Sequence, residues 1–172
     1  MEIYFLIPLS IIILTIGFVT LRSNPISTTN RYFFIFTALL VVWILSNYFS
    51  NIVKSHDISL LLNRIIFAST SVLVWTLCLF AISYPNNENH LKKHWKYLGH
   101  LVTIIIAAFA FTQFIVSDVV IYSDYSETIF GPLLYAYIAH FIFLFFLFIY
   151  TLARKLLKSN GLESIKIQYL VT

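Results

Sequence analysis

Few residues in this chain carry side chains able to do chemistry, and most stand alone inside apolar runs. Arg64 lies in "NRIIFASTSVLVW", where its planar fork suits a ligand carboxylate or phosphate. The same side chain can instead snorkel to lipid headgroups or pair with Asp57. Asn47 and Tyr48 close one apolar stretch, Gln113 closes another, and Tyr135 stands early in a third. With Arg64 and His140 they are the candidates for an outward-facing polar cavity, although each alone is commonly an interhelical hydrogen-bonding group.

His140 and His100 fall deep within apolar stretches, where a polar side chain is costly and points to function by default. Their depths differ by about 13 Å at the helical rise, too much for both to ligate one planar haem. An interhelical histidine with a satisfied hydrogen bond remains, with a pH- or ligand-responsive contact as the alternative. Asp118, Asp124 and Glu127 share one short segment whose spacing matches no calcium loop, so solvation explains them. No HExxH, no Gly-x-Ser-x-Gly turn and no membrane carboxylate pair occurs. The expectation is therefore no catalytic residue, no metal and no cofactor. Ala68-Ser69-Thr70-Ser71 and Thr76 are small residues suited to close helix packing, and the single Cys78 reads as a small hydrophobe.

The elements that position these residues follow from composition. Of 172 residues, 60% are hydrophobic and 10% charged, and the mean hydropathy is +0.88. A soluble domain needs roughly 25% charged residues to cover itself; this chain expects lipid as its solvent. Five stretches are long enough to cross about 30 Å of hydrocarbon: roughly 3–21, 32–49, 58–83, 97–116 and 130–153. Unbroken apolar runs without alternation favour helices over a barrel, so the expected fold class is an all-α, polytopic transmembrane bundle. The first stretch lacks a basic leader and an Ala-x-Ala cleavage site, and reads as a span. Pro85 and the following Asn pair end the third, and Gly131-Pro132 sits in the first turn expected for the fifth.

Lys and Arg set the expected orientation. Arg22, Arg31, Lys92, Lys93, Lys96, Arg154, Lys155, Lys158 and Lys166 fall on one side, nine cations against Lys54 and Arg64 on the other. That split puts the N-terminus outside and the tail in the cytoplasm. Tyr4, Tyr32, Tyr48, Trp95 and Tyr97 fit an interfacial belt. Headgroups account for the net charge of +4, so no nucleic-acid partner is expected.

Three segments carry a resemblance: "NRYFFIFTALLVVWILSNYF", "LLNRIIFASTSVLVWTLCLFAISYP" and "GPLLYAYIAHFIFLFFLFIYTLARKLL" followed by "ESIKIQYLVT". The chain resembles the seven-helix N-terminal sensor region found upstream of bacterial and archaeal histidine kinases and related signalling proteins. The resemblance covers essentially the whole chain, as the first five of seven helices. In that family the sixth helix commonly opens with a basic residue, any residue, then Gln, and Lys166-Ile167-Gln168-Tyr169-Leu170 matches. The resemblance implies a chain cut at the start of helix six; a short amphipathic tail on the inner leaflet is the alternative. It implies a membrane signal-input module in a two-component system, itself no enzyme, with kinase activity in a downstream domain. The implied partners are the bilayer, an unknown small ligand, and a second copy paired through that domain; the implied location is the cell membrane. A small transporter or a structural membrane subunit is the competing function. Transport lacks support from a repeat, paired broken helices or a mid-membrane carboxylate.

Overall fold

The computed structural model describes residues 3–84, 92–122 and 125–158. The chain order is α1 (Ile3–Ser23), α2 (Thr28–Ile52), α3 (His56–Ser83), α4 (Lys93–Ala110), β1 (Val116–Ile121), β2 (Ser126–Phe130) and α5 (Leu134–Lys158). The proposed sixth-helix start at 166–170, Asp124, Pro85 and Lys166 lie outside the described residues.

α3 is the hub. It packs against α2, α4, α5 and both strands, while α1 packs against α2. Its buried stripe holds Val74, Trp75, Cys78 and Leu79, which meet Leu144 of α5. A second cluster joins Ala68 of α3, Ala110 of α4, Ile115, Val116 and Tyr137 of α5. The small hydroxyl residues Ser69, Ser71 and Thr76 are buried on this helix, as expected of close packing. Most return a bond to the preceding turn: Thr76 Oγ1 donates to the Val72 carbonyl at 2.8 Å and Thr70 Oγ1 to the Ile66 carbonyl at 2.7 Å. Such bonds silence hydroxyls in lipid.

Long exposed apolar faces on α1, α4 and α5, including Phe18, Ile104, Phe143 and Phe146, agree with lipid as the surrounding solvent. α1, α2, α3 and α5 are long and apolar enough to cross a membrane. α4 is not among these four. It has 18 residues and begins with Lys93, His94 and Lys96, which shorten its apolar part.

The boundaries expected near 97–116 and 130–153 therefore need correction. α4 ends at Ala110, where Thr112 Oγ1 accepts from the Phe114 N–H at 3.3 Å and donates to the Phe109 carbonyl at 2.6 Å. From Ile115 to Ile121 the apolar residues are all β-branched, and Val116, Val119, Val120 and Ile121 lie in β1. β1 pairs antiparallel with β2, Val119 opposite Thr128 and Ile121 opposite Ser126, with a register shift between Val116 and Asp118. Phe130 ends β2, and Gly131-Pro132 precedes α5 instead of lying in its first turn. A Cβ on Gly131 would lie 2.1 Å from the Gln113 carbonyl oxygen, so only glycine lets the two chain stretches cross there.

Successive helices alternate in direction. One end of the bundle gathers the close of α2, the start of α3, the close of α4, the hairpin and the start of α5. The opposite end gathers the α1–α2 turn, the close of α3, the start of α4 and the close of α5; Thr29 Oγ1 bonds the Ser83 carbonyl there at 3.0 Å. Arg22, Arg31, Lys92, Lys93, Lys96, Arg154 and Lys155 all sit at this second end. Lys54, Asp57, Arg64, Asp118 and Glu127 sit at the first.

Candidate functional site

At 1.5 Å per residue α3 is about 42 Å long, more than the hydrocarbon needs. Its exposed first residues, His56 and Asp57, thus stand ahead of the apolar segment that begins at Ile58. The hairpin is fastened to this mouth by side chains from three elements. Ser50 of α2 offers its carbonyl to Ser59 Oγ and Ser126 Oγ, each at 2.9 Å. Thr128 Oγ1 donates to Asn63 Oδ1 at 2.7 Å, while Asn63 Nδ2 returns to the Ser59 carbonyl at 3.0 Å. Lys54 Nζ reaches the Tyr122 carbonyl at 3.2 Å.

His56 ties β1 to the start of α3. Its Nε2 lies 2.7 Å from Asp118 Oδ1 on β1, and its Nδ1 lies 3.3 Å from Asp57 Oδ1. These carboxylates hydrogen-bond the ring and hold its pKa above the ordinary 6.5. Asp118 also accepts the Val119 N–H at 2.8 Å; that bond first, then His56, holds its carboxyl below the usual 3.8. Tyr122, whose hydroxyl donates to Glu127 at 3.2 Å, is pushed up from 10 by that bond and charge.

Arg64 lies beneath the hairpin. Its Nη2 donates to the Val116 carbonyl at 3.4 Å, and its Nε is buried without a partner. The bond supplies a donor to non-helical backbone close to membrane depth, where a bare carbonyl is costly. Gln113 is exposed on the turn that follows α4, and its backbone carbonyl is the one crowding Gly131. Asn47 is exposed, and its carbonyl accepts from Ser50 Oγ and Asn51 Nδ2, each at 2.9 Å. Tyr48 is half-buried with its ring edge-on to Phe49. Tyr135 is 82% exposed at the start of α5. His140 sits deeper, its Nε2 3.5 Å from Ser71 Oγ. Among the described residues no hydrogen bond joins two of these six.

At the basic end α3 is tied down again. Lys155 of α5 donates to the carbonyls of Ala81 at 3.0 Å, Ile82 at 2.5 Å and Tyr84. A cation there complements the negative end of the α3 dipole. One face further along, Trp75 Nε1 donates to His100 Nδ1 at 3.0 Å, which fixes the His100 proton on Nε2. Lys96 stands 5.3 Å over the Tyr32 ring, linking α4 to α2.

Sequence reasoning overlooked His56, Asn63 and Thr128. His56 beside Asp57 was a usable signal, since a titratable pair just ahead of a span faces the aqueous side. Its partner Asp118 sits 62 residues away and is joined to it only by the hairpin.

An apolar, multi-helix architecture with a charge-segregated pair of ends defines a helical membrane protein. Residues 5–172 match the family described as the N-terminal 7TM region of histidine kinase. The chain belongs to that family, a sensor region that is not itself catalytic. No curated protein and no solved structure matches it significantly.

Proposed function

We propose that this chain is the signal-input part of a histidine-kinase-type sensor in the cell membrane. The hairpin end faces outward, the basic end faces the cytoplasm, and all five helices cross, α4 by its shorter apolar segment. A small ligand meets the polar surface around Asn47, Tyr48, Arg64, Gln113 and Tyr135, with His140 below. A downstream domain both pairs two copies and carries the kinase chemistry.

One observation carries the reading: α3 is fastened to the hairpin at one end and to α5 at the other. Asn63 and Arg64 hold the hairpin, and 17 to 21 residues further on the Ala81, Ile82 and Tyr84 carbonyls hold Lys155. A stimulus that favours one hairpin arrangement therefore biases the inner end of α5, provided it binds that arrangement more tightly. The test joins Lys54→Cys and Tyr122→Cys with a short bifunctional thiol linker in vesicles. Amide exchange is then followed in Thr151 to Leu157. Locking the hairpin should change protection there; identical exchange with and without the linker refutes transmission.

A further inference from the structure

We propose that the hairpin is a proton-controlled latch: protonated His56 clasps Asp118 and docks β1 on the start of α3, and loss of that proton releases it. The latch itself stands on the geometry; its use as an input rests on the sensor reading above.

Both ring nitrogens of His56 face carboxylate oxygens, Asp118 Oδ1 at 2.7 Å and Asp57 Oδ1 at 3.3 Å. A carboxylate only accepts, so both nitrogens must carry protons, and the ring satisfying this arrangement is the imidazolium. Neutral imidazole keeps one N–H and turns a lone pair on the other carboxylate. The attraction to two anions is then replaced by a repulsive contact and a lost charge-assisted bond.

The other charged groups at this end are Asp57 on α3, Asp118 on β1 and Glu127 on β2, with Lys54 and Arg64 as the cations. Lys54, before α3, holds the Tyr122 carbonyl, and the charge of Arg64 acts on Asp118. Tyr122 titrates above its ordinary 10. Among the described residues at this end His56 is the one histidine, the side-chain type whose charge ordinarily changes between about pH 5 and 8.

The sign follows. A histidine with a raised folded pKa contributes its full stabilisation below 6.5 and loses it as pH rises through the raised value. Asp118 has a depressed pKa, so its contribution is present above 3.8 and is lost as pH falls through the depressed value. The latch closes across mildly acid pH, opens toward alkaline pH, and opens again only in strong acid. The ligand this site takes is the proton of the external medium. The site suits the task because it is exposed, and because it holds the middle of β1. Arg64 bonds that strand at its start, the Val116 carbonyl, and Lys54 bonds the Tyr122 carbonyl just past its end, while Ser126 and Thr128 of β2 donate neutral hydrogen bonds to Ser50, Asn51 and Asn63.

The experiment places nitroxides at Ile58→Cys and Tyr125→Cys in a Cys78→Ser background, in vesicles at pH 6 and pH 8.5. Both positions are exposed. The distance distribution should be narrow at pH 6 and broaden at pH 8.5, with a midpoint above 6.5. His56→Gln should abolish the pH response, and His56→Arg should keep the narrow distribution at both values. Asp118→Asn serves as the second variant and should also abolish the response. A wild-type distribution unchanged between the two values overturns the latch, as does a His56→Gln protein that still responds. Amide exchange at Thr151 to Leu157, read on the same samples, separates the two ideas. A hairpin that moves while the inner end ignores it supports the latch and refutes the sensor reading.

Discussion

Replacing Lys155 by Met tests the fastening of α3 at the basic end of the bundle. The Met side chain keeps an unbranched apolar stem of similar reach, so packing along the helix is nearly preserved. What is lost is the ammonium group and its bonds to the Ala81, Ile82 and Tyr84 carbonyls. A cation at a helix C-terminus contributes about 0.3–1 kcal/mol when exposed and up to about 2 kcal/mol when partly buried. The acceptors lie in the last turn, where released carbonyls can find water or headgroups, so the bonds add about 1 kcal/mol net instead of their full buried value. The sum is about 2 kcal/mol, on the order of 30-fold in the folded-to-unfolded ratio. Unfolding by SDS in mixed micelles measures it. Amide exchange of Phe80 to Tyr84 should accelerate in parallel, whereas Lys155→Arg retains the charge and most of the effect. Unchanged stability and unchanged exchange in Lys155→Met would refute the claim that α5 holds α3 at this end.

Four further outcomes follow from the geometry. Gly17→Leu should pry α1 from α2, because a Cβ there lies 2.0 Å from Thr37 Oγ1; overpacking of this kind costs about 1–3 kcal/mol, and protease release of α1 reports it. Trp75→Phe removes the indole bond to His100 and should lower SDS stability by only about 0.6 kcal/mol, the usual size of an interhelical bond in lipid. Gly99→Ala strikes the same interface harder, since its Cβ would stand 2.2 Å from Trp75 Cη2, and should lose more in the same titration than Trp75→Phe. Arg64→Met leaves the Val116 carbonyl without its donor, and faster amide exchange across Val116 to Ile121 should result.

The first three helices were legible because each hydrophobic run ends at a strong local signal. "SNPIST" closes α1 and supplies the Ser27 cap of α2, whose Oγ accepts the Asn30 N–H at 3.3 Å. The segment from Phe109 to Phe130 was not legible in this way. Hydropathy alone reads "FIV" as the close of a span and "SDVVIY" as the loop after it, since a short apolar run does not declare its period. The choice of strand comes from pairing with β2 and from backbone bonds made across the crossing: Gly131 N to the Ile115 carbonyl at 3.0 Å and Leu133 N to the Phe114 carbonyl at 2.8 Å.

The charged residues show the same division. Their segregation to two ends of the bundle was readable from spacing alone. What they touch was not. Lys155 counted only as one cation among several, yet it caps a helix 71 to 74 residues earlier in the chain. Arg64 was weighed between a ligand, headgroups and a pair with Asp57, while its hydrogen bond goes to the Val116 backbone. Asp118 read as a solvated loop acid; β1 carries it to His56. Each of these pairings depends on the register of the hairpin or the crossing of two helices, which local sequence does not encode.

Sidedness is the point on which the whole account turns, and a membrane-impermeant maleimide measures it directly. Tyr122→Cys and Leu157→Cys, each exposed at its own end of the bundle, are labelled separately in intact and in permeabilised cells. The account predicts that Tyr122→Cys reacts in intact cells and that Leu157→Cys reacts only after permeabilisation. Reaction of Leu157→Cys in intact cells, or release of the protein from membranes without detergent, would contradict it.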